Sequence, residues 1–306
     1  MVMTVTAPRI PLFRPALCAL AVFAVGTAAR AEEIEAVSGR VSPDYIRAKL
    51  PDGTFRPETY AFGKGGYWSG PMADLTVDKM EFTDVARTIA PPLAGQNYLA
   101  SRDPATTKLL IMVYWGTTYA PEHASDSPVY QHLMDANAEF ARSHAEQNEI
   151  SGRAKYLAGD HAYDEVTVAI AAVQAENRLR DNVNARNATM LGYDSWWEAT
   201  YDAPNGSAQE LRKRDMLNEL EEDRYFVVLM AYDFQMLWRQ KKHKLLWETR
   251  FSVSEHRNQF DRQLAAMALY ASKYFGQDSG GLVHKGLPDG RVELGDVKSL
   301  GAVPDK

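Results

Sequence analysis

Residues 225–253 read YFVVLMAYDFQMLWRQKKHKLLWETRFSV, and the arrangement of this stretch decides the fold. Its even positions are Phe226, Val228, Met230, Tyr232, Phe234, Met236 and Trp238. From Leu245 onward the odd positions carry Leu245, Trp247, Thr249, Phe251 and Val253. Period-two alternation of this kind belongs to strands with one buried face. A hairpin centred on Lys241-Lys242 sets Trp238 opposite Leu245, Met236 opposite Trp247, Tyr232 opposite Phe251 and Met230 opposite Val253. The other face then pairs Asp233 with Arg250, worth about 0.2–1 kcal/mol. A slip of one residue would turn the apolar row outward. The Lys-Lys tip suits a four-residue loop better than a two-residue turn.

Downstream, Phe260, Leu264, Met267, Ala271 and Tyr274 form a helical stripe, with Gly276 as the expected cap. Residues 287–294 read as a turn and a short strand. Upstream, residues 108–115 (KLLIMVYW) are apolar on both faces, as a central strand is. Residues 58–62 (ETYAF) read as a short strand, followed by a loop over 63–70 (GKGGYWSG). Phe82, Val85, Ala86 and Ile89 follow helical spacing, which Pro91-Pro92 should end or break. Between 129 and 222 Ala, Glu, Arg and Asn dominate, and Val168, Ala172, Ala175, Leu179, Val183 and Met190 form one narrow stripe at helical spacing. The expected fold is α+β, a mostly antiparallel sheet of about four or five strands with covering helices and an inserted helical lobe. Residues 32–128 and 223–306 supply the two parts of the sheet domain, the second with the long hairpin, and 129–222 the insertion.

Residues 1–31 have the order of a secretory signal peptide. Arg9 and Arg14 precede the apolar run 16–25, and Ala29-Arg30-Ala31 completes a small-residue cleavage pattern. The run is too short to span a bilayer, which takes ~20 residues. Cleavage after Ala31 leaves a chain beginning at Glu32, soluble and periplasmic or extracellular, with no transmembrane segment. It also removes Cys18, the single cysteine, and with it any disulfide or thiolate chemistry. The leader holds Arg9, Arg14 and Arg30 and no acid, so the whole chain's charge of −6 becomes −9 for residues 32–306. That balance excludes broad nucleic-acid binding, which needs a basic footprint.

The order ETYAF, helix, KLLIMVYW, then KLLWETRFSV (244–253) and a helix ending in YFG (274–276) resembles a family of uncharacterised exported bacterial α/β proteins, many of them lipid-anchored. The resemblance covers residues 58–115 and 225–276. It implies an α/β fold and an exported location, and brings no catalytic residues with it. The chain departs from that family in lacking a lipid-acceptor cysteine at the end of its leader and in carrying the helical insertion.

Motifs with chemical potential are few. Asp278-Ser279-Gly280-Gly281 matches the string around a serine-protease nucleophile, but it follows a helix and His144 lies within a helical segment. Gly63-Lys64-Gly65-Gly66 lacks the spacing of a phosphate loop. His161 precedes Asp164 and Glu165 at helical spacing without a second histidine at ligand distance, so no metal and no cofactor is expected. The Asn/Arg-rich run 176–187 reads as a solvated face or a polar helix contact. Two aromatic pairs stand out as ligand or partner contacts: Tyr67 with Trp68 beside the glycines, and Trp196 with Trp197. The expected function is a non-enzymatic exported envelope protein, a binding or assembly module for an envelope component or protein. The alternative is an exported hydrolase with its site in the cleft between sheet domain and helical lobe.

Overall fold

The computed structural model describes residues 35–285 apart from 122–125, 148–152, 201 and 203, with backbone alone for 144–147 and 153–160. The expected signal peptide with Cys18, and the strand expected within 287–294, lie outside the described residues, as does the side chain of His144.

The chain runs β1 (Ala36–Val41), β2 (Glu58–Trp68), α1 (Leu75–Asp78), α2 (Phe82–Gly95), β3 (Tyr98–Ala100), β4 (Leu109–Thr117), α3 (Pro128–Gln147), α4 (Arg153–Leu191), α5 (Asp194–Thr200), α6 (Ala208–Leu220), β5 (Arg224–Asp233), α7 (Phe234–Gln240), β6 (Leu245–Ser254), α8 (Phe260–Ala271) and β7 (Leu282–His284). The strands form one seven-stranded sheet in the order β3-β2-β4-β5-β6-β1-β7. β2 is parallel to both β3 and β4, and the remaining neighbours are antiparallel. The fold is α+β, but a mixed seven-stranded sheet replaces the expected mostly antiparallel sheet of four or five strands.

Three local effects account for the difference. First, β2 does not stop at Phe62; it continues through the glycines to Trp68 and pairs with β4 along its length, with a bulge at Lys64–Gly66. A Cβ on Gly63 would crowd the Met112 sulfur, the far end of a flexible side chain. One on Gly65 would lie 2.5 Å from the Tyr114 ring. Second, α1 and α2 link β2 to β3 as a helical crossover, the connection that parallel neighbours require. Pro91 and Pro92 are accommodated near the end of α2, whose Ile89 and Leu93 are fully buried. Third, the edges gain β3, β1 and β7, and β1 lies between β6 and β7.

The expected hairpin register is overturned. β5 ends at Asp233, whose carboxylate accepts from the Met236 amide at 2.8 Å and caps α7. Phe234, Met236 and Trp238 are therefore helical. Met230 pairs with Glu248 instead of Val253, and Val227 with Phe251. The strands meet five residues away from the expected alignment because the helical turn consumes part of the alternating run. Arg250 pairs with Glu248 at 3.1 Å, not with Asp233.

Both faces of the sheet centre are used. Odd-numbered Tyr225, Val227, Leu229, Trp247, Phe251 and Val253 join β4 and β2 side chains under α1, α2 and α8. Even-numbered Phe226 and Val228 pack on the opposite face against Ala188, Leu191, Tyr193, Met216 and Leu220 from the region of α4 to α6. The side of α4 that meets this body is the Asn-rich one. The Asn187 amide donates to the carbonyls of Tyr119 (2.7 Å) and Leu220 (2.9 Å), and that of Asn184 donates to Glu221 at 2.7 Å. The apolar stripe is the open side, with Val168 63% and Leu179 66% exposed.

Candidate functional site

The helices cover only part of the second face. Leu110, Met112, Tyr114, Met230 and Tyr232 on β4 and β5 remain half-buried. At the boundary between the covered and open parts lies a hollow of about 160 Å³ lined by Trp68, Tyr114, Met190, Phe226, Val228, Met230 and Arg250. β2 and β4 run parallel here, so Trp68 at the end of β2 stands beside the side chains of β4. Its ring is 5.7 Å from Tyr114 and 6.1 Å from Phe226. The glycines of β2 leave this part of the strand without side chains of its own, and Met112 and Tyr114 lie across it.

Arg250 is the one charged residue in the wall. Its guanidinium donates to the carbonyls of Thr189 and Met190 and to Glu248 at 3.1 Å. Its Nε is buried with no acceptor. The ion pair with Glu248 neutralises the wall, so the hollow offers three aromatic rings, two thioethers and one valine to an uncharged, apolar group. Tyr232 nearby has its phenol pushed above its ordinary value by burial, with Tyr114 and the Glu248 carboxylate adding to the shift.

The two aromatic pairs are split by the structure. Trp68 is 44% exposed and reaches the hollow. Tyr67 points to the other face, where its hydroxyl donates to Asp78 and its ring lies 5.8 Å from Trp115. Trp196 and Trp197 on α5 pack against the second core, with Trp196 edge-on to His284 at 6.1 Å. They do not line the hollow. Met190, Met230 and Arg250 were missed by sequence reasoning; no local motif marks them, since three distant elements bring them together.

A polar cluster joins β7 to the helices. The Tyr193 hydroxyl donates to Glu219, His284 Nε2 lies 3.1 Å from the same carboxylate, and Arg224 is 4.0 Å away. Burial opposes charge on Glu219, but His284, Arg224 and Tyr193 outweigh it and hold the carboxyl below its ordinary value. Burial, aided by the Glu219 carboxylate, pushes the Tyr193 phenol well up despite the opposing pull of Arg224. Ser279 is likewise engaged: its Oγ accepts from the Gly39 amide at 2.9 Å and donates to backbone carbonyls, pinning the loop before β7 to β1. His132 lies 3.5 Å from Glu165. Among the described residues no group of three or more His, Cys, Asp or Glu side chains is placed to hold a metal ion. Among them, too, no helix is long and apolar enough to cross a membrane.

No family model and no curated protein matches the chain. Among solved structures it is similar to a PDZ domain protein from Parabacteroides distasonis, with a TM-score of 0.34 and 11% identity over 82% of this chain. The match takes in 39% of that longer protein.

Proposed function

We infer that this protein is a non-enzymatic exported binding or assembly module of the cell envelope, and that it takes up an uncharged apolar group in the hollow beside Trp68. The observation that carries the reading is the incompletely covered sheet face, where aromatic and methionine side chains line a hollow whose only charge is internally paired. Apolar walls with few polar groups are what small-ligand sites offer. A void of about 150 Å³ lined by apolar side chains is enough for a benzene-sized group. The paired methionines give the wall an adaptable shape. The leader-like residues 1–31 support the location. The hydrolase alternative needs acid–base groups open to a substrate, whereas Glu219, Tyr193 and His284 are bonded to one another at the sheet–helix junction.

The test is titration with the neutral dye N-phenyl-1-naphthylamine. Saturable one-site binding with quenching of tryptophan emission is expected. Trp68→Ala and Met230→Trp, which remove a wall and fill the space, should each weaken binding about tenfold or more, a loss of about 1.4 kcal/mol. Non-saturable uptake, or binding by both variants as tight as that of the parent protein, would sink the reading.

A further inference from the structure

The open side of α4 has a feature that the hollow does not explain. α3 lies against α4 along an alanine seam, with Ala136, Ala162 and Ala169 buried. Successive helical residues turn by ~100°, so Val168, Ala172, Ala175, Leu179 and Val183 form a second stripe about a quarter-turn from that seam. Val168, Ala175 and Leu179 are exposed, and Ala172 and Val183 are half-buried. Beside the stripe is a groove of about 220 Å³ lined by Tyr119, Pro121, Glu176, Leu179, Arg180 and Val183. Glu176 and Arg180 in that lining are paired with each other at 3.4 Å.

We propose that this stripe is the contact surface for a second copy of the chain, with the two α4 helices packed antiparallel about a two-fold axis between residues 173 and 174. Four of the five stripe positions are complementary to their own reverse, with Val183 falling opposite Asp164. A two-fold at that point sets Ala172 opposite Ala175 of the other copy and Val168 opposite Leu179, each reciprocally. The small side chains at the axis let the helices approach closely. Val168, the most prominent side chain on one half of the stripe, meets the groove beside Leu179, and the same contact repeats on the other half. Such an isologous, closed contact is the usual form of a homodimer.

Charge selects the direction. Exposed Asp164 and Glu165 lie before the centre of the stripe; after it, exposed Arg178 and Arg186 outnumber exposed Asp181. The antiparallel arrangement places Glu165 opposite Asn182, which has Arg178 and Arg186 one helical turn to either side. A parallel arrangement would set acid against acid and base against base. Complementary charges of this kind fix register and suppress wrong pairings. Glu165 also faces His132 of its own chain at 3.5 Å. The Glu165 side chain stays 59% exposed there, so it is accessible to the second copy.

Sedimentation of the purified protein with Cys18→Ser tests the proposal. The expected result is a concentration-dependent mass of two chains, reduced to one chain by Ala175→Glu with the circular-dichroism spectrum unchanged. Leu211→Glu, at an exposed position on α6, should leave the dimer intact. Copies carrying Ala172→Cys, mixed with copies carrying Ala175→Cys, should form mixed disulfide dimers several-fold in excess over either self-pair. A single-chain mass at every concentration, or a dimer that survives Ala175→Glu, would overturn the proposal; an excess of self-pairs would overturn its register.

Discussion

The Tyr114 ring lies directly over Gly65, filling the place where any larger residue would carry its Cβ. This contact joins β4 to β2 on the face that holds the hollow. Gly65→Ala must displace the ring or the strand, and overpacking of this kind costs about 1–3 kcal/mol. Gly95, near the end of α2, has nothing within 4 Å of its ideal Cβ. Gly95→Ala should be neutral or slightly stabilising. Urea melts of the two variants check the contrast, and the dye titration should show weaker binding for Gly65→Ala alone.

Trp247 is 1% exposed and stacks on Phe275 at 6.1 Å. Removing it leaves a large cavity, and Trp247→Ala should cost about 3–5 kcal/mol. Asp233 caps a two-turn helix, so Asp233→Ala should cost about 0.5–2 kcal/mol through loss of that cap. Arg250→Ala, not Arg250 paired with Asp233, is the change that should disturb the sheet–helix boundary. In a double-mutant cycle, Asp233 and Arg250 should show no coupling. A coupling of about 0.5 kcal/mol or more between them would contradict the register described above.

The pH dependence of stability separates two carboxylates. The Glu219 pKa is depressed in the folded protein, so its stabilising contribution is complete above the ordinary carboxylate value of 4.5 and is lost as pH falls through the folded value. Glu219→Gln should lower the melting midpoint at pH 7, and the gap from the parent should narrow in acid. The Glu255 pKa is raised by burial, then by Asp223 and Asp74. Its charge therefore opposes folding above the folded pKa, and the penalty is relieved as pH falls. Glu255→Gln should raise the midpoint at pH 7 and make no difference below about pH 3. Calorimetry across this range distinguishes the two signs.

The proposed export makes a direct prediction. Intact-mass measurement on the protein recovered outside the cytoplasm should give a chain beginning at Glu32 and lacking Cys18. A retained N-terminus, or a lipid adduct on Cys18, would show the leader to be an anchor.

The parts of the fold legible in the sequence are those fixed by one dominant periodicity. Residues 108–115, read as apolar on both faces, fall almost entirely in the interior strand β4, flanked by β2 and β5. The stripe Phe260, Leu264, Met267 and Ala271 is the buried face of α8. Where two signals compete, the sequence misleads. Phe234, Met236 and Trp238 continue the period of β5, yet the Asp233 cap turns them into a helix. Gly63, Gly65 and Gly66 look like a loop, because the side chains that fill the space above them belong to another strand. On α4 the apolar stripe is the open one, since Asn184 and Asn187 gain more by satisfying buried carbonyl and carboxylate groups than by facing water. Of the hollow's lining, Trp68 alone stood out, as an aromatic beside glycines; Met190, Met230 and Arg250 meet it only through the sheet order.

β1 pairs with β6, Ala36 opposite Ser252, and with β7, Ala36 opposite His284. Among the described residues, the first strand made is thus held between two of the last. A chain emerging N-terminus first, from a ribosome or through a membrane pore, must keep β1 unpaired until more than two hundred further residues have followed it. Non-local pairing of this kind slows folding. It also keeps an emerging chain from completing its sheet early, so the finished structure forms only once the whole polypeptide is on one side.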